Sequence, residues 1–458
     1  LIKLFKNYLS KNEYQDFEKN LLKRTKIFCK SLIDNLNIEI NSSDYDYFYS
    51  FILPILIELD YLNYISSRTF YTRSTETHNK NLIQKTQKKV LKIINNKLQS
   101  EKIFSKNEKK NILNNFFDKY NIQNSTIVSF SYFHRHSEYL EEFRKNNKVI
   151  ELNKDKFKFL EDRINAVTEI RKVKFNSTNK YEDELITAIN FFLNNKDLIT
   201  FKGKVLLISC HGWVGSNLTR LIISYVSSKT EVPIINLQAG FGHQAMVCFG
   251  QVIWERYICD KFITWSEEKF KKDYFLGSMY SFKSLSKNTK NKETLILPQI
   301  PRINLPRCFS FYWCLTNKDF LKQKEFFLGE IDNILCKSKS PIFRIKKNDY
   351  YLYQKYIFKN FKNVDIDAGD VNKSENFKGT EKTYIFYMSS AIPQAINSGS
   401  QTYGIFSNKD TYLNDEYMNL IPDKYPFDCE NLSKNLCKDR SIEDYISGLS
   451  ELIKSICY

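Results

Sequence analysis

Short, unbroken runs of apolar residues alternate with helical patterns over much of this 458-residue chain, and this alternation limits the fold more than any other feature. The runs at 205–210 (VLLISC), 233–237 (PIINL) and 261–265 (KFITW) are separated by segments with helical spacing of apolar residues. Strands that are apolar at every position are buried on both faces, as in parallel sheets covered by helices. The pattern predicts an α/β protein with a parallel sheet.

The same alternation resumes after a polar stretch at 284–292 and indicates a second sheet. Strands are predicted at 294–297, 341–346, 364–366, 383–388 and 402–406, with helices at about 318–336, 350–361 and 391–397. A further strand at 126–133 is assigned to the first sheet, and residues 136–195 read as mostly helical. We therefore predict a helical accessory region at 1–120, a Rossmann-like N-terminal lobe at 121–290 and a Rossmann-like C-terminal lobe at 291–458.

The composition indicates a folded protein and limits the kinds of partner that it could bind. Aromatic residues make up 15% of the chain, far more than disordered chains carry. The net charge of +17 predicts attraction to polyanions, phosphorylated substrates or anionic membranes, but the charge is spread thinly and no nucleic-acid-binding motif accompanies it. The ten cysteines form no CxxC pair, which favours free thiols in a reducing compartment. The longest apolar segment, 48–59, is too short to span a membrane and is predicted to be a buried helix.

Ligands of such folds bind outside the carboxyl ends of the strands, so the loops there are the candidate sites. The first loop, 211–217 (HGWVGSN), contains Gly212 and Gly215, which permit close approach of the backbone to a ligand. Ser216 is placed to cap the next helix, whose free N–H groups would favour an anion. His211 is a candidate general base or phosphate contact; a packed histidine in an ordinary turn is the alternative.

The second loop follows strand 233–237 and has the same character. Gln238, Gly240 and Gly242 lead to His243, one of only five histidines in the chain. A turn of small residues without chemistry is the alternative.

Two acidic residues, Glu255 and Asp260, lie before the third predicted strand. Glu255, near the end of a helical stretch, is either an acid/base group or a solvated carboxylate. Asp260 is expected to cap the entry to strand 261–265.

In this order, the three segments resemble a bacterial family of surface-carbohydrate transferases with a GT-B-like fold. That family is distantly similar to capsule Kdo transferases and to CDP-glycerol glycerophosphotransferases, and the resemblance covers about residues 200–410. Two positions depart from it: Ala239 stands where the family has histidine, and Gln394 lies near the place of a glutamate that holds the donor ribose in many GT-B enzymes.

The second lobe contains groups suited to a phosphorylated donor. Arg344 and Lys346 end a predicted strand, and arginine offers a two-pronged donor to phosphate. Ser389 and Ser390 precede the helix that contains Gln394 and would donate to the donor phosphate. The alternative is an ordinary helix cap beside a solvated basic strand end. The Asp-x-Asp sequence at 365–367 is not assigned to a metal, because the resemblance implies neither a metal nor another cofactor.

These features predict transfer of a sugar or alditol-phosphate unit from a nucleotide-activated donor to a cell-surface glycan or lipid-linked acceptor. The expected place is the cytoplasm, with peripheral association at the inner, anionic face of the membrane. Two other readings stay open: an inactive relative that binds glycans or acts as a scaffold, and a basic nucleic-acid-binding protein.

Overall fold

The computed structural model describes most of the two predicted sheets and the helices around them. It covers residues 11–66, 106–120, 127–130, 137–152, 160–161, 164, 180–201, 204–209, 216–238, 240–241, 250–278, 293–298, 317–338, 340–345, 360–361, 364–367, 377, 379–406, 417 and 419–457.

The first sheet has six strands in the order β2-β1-β3-β4-β5-β6, and every neighbouring pair is parallel. Its strands are β1 (Ile127–Phe130), β2 (Val149–Glu151), β3 (Val205–Ser209), β4 (Ile234–Leu237), β5 (Lys261–Thr264) and β6 (Asp273–Phe275). The central strands β3 and β4 pair with Leu206 opposite Ile234, and both residues are buried. This explains why their sequences are almost entirely apolar.

The second sheet also has six strands, in the order β12-β11-β10-β7-β8-β9. They are β7 (Glu293–Leu297), β8 (Pro341–Arg344), β9 (Asp365–Asp367), β10 (Thr380–Ile385), β11 (Gln401–Gly404) and β12 (Phe427–Asp428). All pairs are parallel except β11 with β12. The predicted fold class is confirmed: an α/β protein with two Rossmann-like lobes, as in a GT-B-like fold, and a mainly helical N-terminal region.

The differences from prediction concentrate at the sheet edges. The strands β2, β6 and β12 were not predicted, and each is an edge strand of two or three residues. Such short segments carry too little periodicity to be recognised. The strand expected at 383–388 instead spans Thr380–Ile385. Most of the helix expected at 350–361 lies outside the described residues.

Eleven α-helices lie in the described part of the chain. They are α1 (Lys11–Asn35), α2 (Tyr45–Ser66), α3 (Lys106–Lys119), α4 (Ser137–Asn146), α5 (Lys180–Asn195), α6 (Asn217–Lys229), α7 (Gly250–Ile258), α8 (Asn317–Leu335), α9 (Ala391–Asn397), α10 (Glu430–Leu436) and α11 (Ile442–Cys457). Among the described residues, no helix is long and apolar enough to cross a bilayer.

The helix α2 is a central part of the first lobe. The rings of Tyr47 and Phe48 pack edge-on against Phe192 of α5, with centroids 4.8 and 5.0 Å apart. Phe51 lies in the same core and is fully buried. The prediction of a buried helix at 48–59 is confirmed: the whole segment is helical, and residues 48–57 are buried. This part of the N-terminal region is thus integrated into the lobe rather than added outside it, while the predicted domain limits stay predictions.

A buried proline in α2 is compensated from another helix. Pro54 has no N–H, so the carbonyl of Ser50, four residues earlier, cannot receive its usual helical hydrogen bond. The indole Nε1 of Trp254 in α7 donates to this carbonyl at 2.9 Å. A buried carbonyl is thereby satisfied, and α7 is tied to α2.

The C-terminal helix α11 returns to the first lobe. Its residues Tyr445 and Leu449 share one hydrophobic core with Ile127, Val205 and Ile235 of the first sheet. Just before α11, the backbone N–H of Lys438 donates to the carbonyl of Trp265 at 3.0 Å. The last helix therefore covers one face of the first sheet, although the chain reaches it after completing the second.

Candidate functional site

The two sheets meet at the carboxyl ends of interior strands. Phe241 follows β4, Ser390 follows β10, and the backbone N–H of Phe241 donates to Ser390 Oγ at 3.3 Å. Phe241 is 1% exposed and belongs to the same hydrophobic core as Met388 and Ile392 of the second lobe. The region where this type of fold binds ligands is therefore the junction between the lobes.

Gln238 holds the turn at the end of β4 in place. Its Nε2 donates to the Gly240 carbonyl at 2.9 Å, and its Oε1 accepts from the Trp265 backbone N–H at 3.1 Å. The Trp265 indole also donates to the Gln238 carbonyl, at 2.8 Å. Two predicted site residues, Gln238 and Gly240, thus shape the junction by linking the ends of β4 and β5.

A second inter-lobe contact lies beside this junction. The Tyr417 hydroxyl donates to Glu267 Oε1 at 2.9 Å, and the Lys269 ammonium lies 4.2 Å from the centre of the Tyr417 ring. Burial would raise the pKa of Glu267, but the Tyr417 hydroxyl and Lys269 outweigh it, so that this pKa is lowered. No local sequence signal predicted this contact, because its partners are 150 residues apart.

The helix α9 begins at the predicted serines. Ser390 is the residue before the helix, and Ser389 Oγ accepts from the Ala391 N–H at 3.2 Å. Pro393 falls in the first turn, where its missing N–H costs no helical hydrogen bond. Gln394 follows, 5% exposed, and its Oε1 has no hydrogen-bond partner among the described residues. A buried, unsatisfied amide oxygen is costly, so Gln394 is the most informative polar group here.

The N-terminus of α6 differs from the sequence prediction, which left its N–H groups free for an anion. Ser216 caps the helix by accepting from the Thr219 N–H at 3.2 Å, as predicted. Glu161, however, already lies at this end: its Oε2 accepts from Ser216 Oγ at 2.5 Å and its Oε1 from the Asn217 N–H at 3.1 Å. An internal carboxylate therefore occupies the position expected for a ligand anion.

Arg344 is also already paired. Its Nε and Nη2 donate to Asp367 Oδ2 at 2.9 and 2.8 Å, and its guanidinium lies 5.6 Å from the centre of the Phe377 ring. The sequence predicted that the Arg344 guanidinium would be free to bind a phosphate. This prediction is corrected, since any phosphate would compete with Asp367. Asp367 of the Asp-x-Asp sequence thus forms an ion pair with Arg344. Among the described residues, no group of three His, Cys, Asp or Glu side chains could hold a metal.

Glu255 is fully buried within α7, so the alternative of a solvated carboxylate is wrong. Its role as a general base stays a prediction. Asp260 has a structural role: its Oδ2 accepts from the backbone N–H of Ile234 at the start of β4, at 2.8 Å.

Several predicted residues lie outside the described part of the chain, and their roles stay predictions. They are His211, Gly212, Gly215, Gly242, His243 and Lys346.

No protein-family model matches the chain, and no curated protein is significantly similar to it. Among solved structures, it is similar to the wall teichoic acid polymerase TagF with CDPG, at 14% identity and a TM-score of 0.33, over 82% of this chain and 92% of that one. TarM of S. aureus in complex with fondaparinux, alpha-GlcNAc-glycerol and UDP has 10% identity and a TM-score of 0.26, over 59% and 53%. A UDP-N-acetylglucosamine 2-epimerase has 10% identity and a TM-score of 0.34, over 72% and 95%. These similarities are too remote to support a functional argument.

Proposed function

We propose that this chain is a transferase that moves a sugar or alditol-phosphate unit from a nucleotide-activated donor to a cell-surface glycan or a lipid-linked acceptor. One observation carries the proposal: the carboxyl ends of the two sheets meet at the contact of Phe241 with Ser390, and Gln394 is buried beside it with an amide oxygen that no described residue hydrogen-bonds. A donor hydroxyl group would satisfy this oxygen, as the family resemblance implies for the ribose.

The chemistry follows from the two sides of the junction. On the second lobe, Ser389, Ser390 and Lys346 would stabilise the departing phosphate, with Arg344 joining them if the donor displaces Asp367. On the first lobe, His211 or Glu255, or His243 in their place, would take the proton of the acceptor hydroxyl in an inverting reaction. No metal ion or other cofactor is needed in this scheme.

Nucleotide binding tests the donor side. We expect CMP, CDP or UDP to bind the wild-type chain in calorimetric titrations, and Gln394→Leu to bind the same nucleotide roughly tenfold more weakly, because one hydrogen bond is lost. Gln401→Leu, at an exposed position on β11, is the matched control and should bind normally. Equal binding by the Gln394 variant would remove Gln394 from the site.

Transfer assays test the acceptor side. Replacing the general base is expected to slow transfer by roughly 10²–10⁴-fold. We would compare His211→Ala, His243→Ala and Glu255→Gln, the last chosen because Glu255 is buried and glutamine preserves its volume. Unchanged rates in all three variants would refute the assignment of the base.

A second candidate is an inactive relative that binds glycans or holds a biosynthetic complex together. It is favoured because two groups that were expected to bind the donor phosphate already contact carboxylates of the protein. Glu161 occupies the N-terminus of α6, and Asp367 pairs with Arg344. If none of the three nucleotides binds while surface glycans do, this second function replaces the first.

A further inference from the structure

The middle of α1 is strongly basic. Residues 19–30 (KNLLKRTKIFCK) contain five Lys or Arg residues and no acidic residue. One side of this segment is anchored: Leu21, Thr25 and Cys29 are buried, and Thr25 Oγ1 shares a 2.8 Å hydrogen bond with the Tyr49 hydroxyl of α2. The orientation of the helix is thereby determined, and the side chains on its other side are directed outward.

Three lysines line a groove on the outward side. Lys23, Lys26 and Lys30 follow one another at intervals of three and four residues, so they lie along one helix face, and all three are exposed. The groove has a volume of about 520 Å³ and is completed by Leu22, Ile27, Tyr45 and Tyr257. Within the described residues, none of these lysines forms an ion pair. The groove therefore concentrates positive charge, with the exposed Asp46 beside its two tyrosines and the Lys26 ammonium 5.5 Å from the centre of the Tyr49 ring.

Ile27 lines this groove beside the lysines, whereas Phe28 is exposed on another side of α1, seven residues from the buried Leu21 and so near the anchored face. Ile27 is 61% exposed and Phe28 is 38% exposed. An exposed apolar group among lysines is typical of surfaces that lie in the headgroup region of a bilayer. A soluble polyanion would neutralise the lysines but would leave Ile27 in water.

The groove is remote from the junction between the lobes. Tyr257 lies at the end of α7, a helix that runs from the carboxyl end of β4 back toward the amino end of β5. Asp44, which immediately precedes Tyr45, pairs at 2.7 Å with Lys229, the last residue of α6. Both contacts place the groove on the side of the sheet opposite the carboxyl ends, so the two sites can be tested separately.

We propose that this face of α1 docks the protein on an anionic lipid bilayer. Lys23, Lys26 and Lys30 contact lipid phosphates, Ile27 enters the boundary between headgroups and acyl chains, and the tyrosines Tyr45 and Tyr257 lie at the interface. The inference does not depend on the proposed transfer reaction.

Vesicle sedimentation tests this docking. The full chain is expected to bind phosphatidylcholine vesicles containing phosphatidylglycerol and to stay unbound with phosphatidylcholine alone. The triple variant Lys23→Gln, Lys26→Gln, Lys30→Gln should lower the partition coefficient roughly a hundredfold, because each lysine near an anionic surface contributes about a fivefold factor. The control Lys322→Gln, Lys337→Gln, Lys424→Gln removes the same charge from exposed positions on the second lobe and should partition nearly as wild type.

The apolar side chain in the groove separates a bilayer from a soluble polyanion. Ile27→Ser should weaken vesicle binding about tenfold while leaving retention on a heparin column unchanged; Phe28→Ser, on another side of α1, and Leu321→Ser, 53% exposed on α8, are the controls. Circular dichroism would verify that each variant is folded. If the triple lysine variant and Ile27→Ser both bind vesicles as wild type does, or if only the lysines matter and heparin competes fully, the membrane proposal is refuted.

Discussion

Glu161 shows how one half-buried carboxylate changes the interpretation of a motif. The loop 211–217 was expected to bind an anion at the start of α6, yet the carboxylate of Glu161 accepts from Ser216 and Asn217 there. A negative charge at a helix N-terminus interacts favourably with the helix dipole. Glu161 therefore stabilises the helix that immediately follows the predicted catalytic loop.

Replacing Glu161 with glutamine is expected to lower the free energy of unfolding by about 1–2 kcal/mol, because the charge and one hydrogen bond to it are lost. Urea denaturation measures this change. Glu231→Gln, at an exposed position just before β4, is the matched control and should change the midpoint very little. An unchanged midpoint for the Glu161 variant would show that its carboxylate does not stabilise α6.

The thiols are expected to differ sharply in reactivity. Burial raises the pKa of Cys29 and of Cys259 to about 12, whereas Cys336 is exposed. At pH 8 a thiol of that pKa is thiolate in roughly one molecule in 10⁴, and the thiolate is the reactive form. Iodoacetamide labelling followed by peptide mass spectrometry should modify Cys336 at least a hundredfold faster. Equal labelling of the three cysteines in the folded protein would contradict this prediction.

At the scale of elements, α2 depends on a neighbouring helix to tolerate its proline. Pro54 leaves the Ser50 carbonyl without a helical donor, and the Trp254 indole supplies the missing hydrogen bond. A proline within a helix usually costs about 3 kcal/mol. The contact between α2 and α7 offsets part of this cost and links the N-terminal helices to the first lobe.

A double-mutant cycle tests this compensation. Trp254→Phe should destabilise the chain by about 2–4 kcal/mol, since it removes buried volume and leaves the Ser50 carbonyl unsatisfied. Pro54→Ala restores a helical donor to that carbonyl and should recover about 1 kcal/mol more in the Trp254→Phe background than in the wild type. Simple additivity of the two substitutions, measured by urea unfolding, would show that the indole hydrogen bond does not compensate for Pro54.

At the scale of the whole molecule, the two lobes are joined by more than the chain connection between them. The Phe241–Ser390 and Glu267–Tyr417 contacts link them at the junction, and α11 packs on the first sheet after the second sheet is complete. Stability of the first lobe therefore depends on the last residues of the sequence.

Truncating a core residue of α11 is expected to loosen the first lobe selectively. Leu449→Ala removes a fully buried side chain and should cost about 2–5 kcal/mol. Hydrogen exchange should accelerate in peptides that contain β1 and β3 more than in those that contain β7 and β10. Leu321→Ala, exposed on α8, is the control and should leave both sheets protected. Acceleration confined to the second sheet would contradict the packing of α11 on the first.

The predicted strands show where sequence patterns were sufficient. The interior strands β3, β4 and β5 were found within a residue of their limits, because burial on both faces makes each a mostly apolar run. The strand β10 was placed three residues too late, since the buried Phe386 and Met388 lie beyond its end. Phe386 packs in the core of the second lobe, whereas Met388 shares a core with Phe241 of the first lobe. An apolar side chain indicates burial, but it does not show whether the residue belongs to a strand.

By itself, the sequence determined the fold class, the order of most strands and helices, and the serines at the start of α9, because these depend on local periodicity and on residue types at helix ends. Only the tertiary structure decided which polar groups are already engaged. Ser216 pairs with Glu161 across 55 residues, Arg344 with Asp367 across 23, and Phe241 with Ser390 across 149. Such contacts depend on how distant segments are brought together, and no local pattern encodes that.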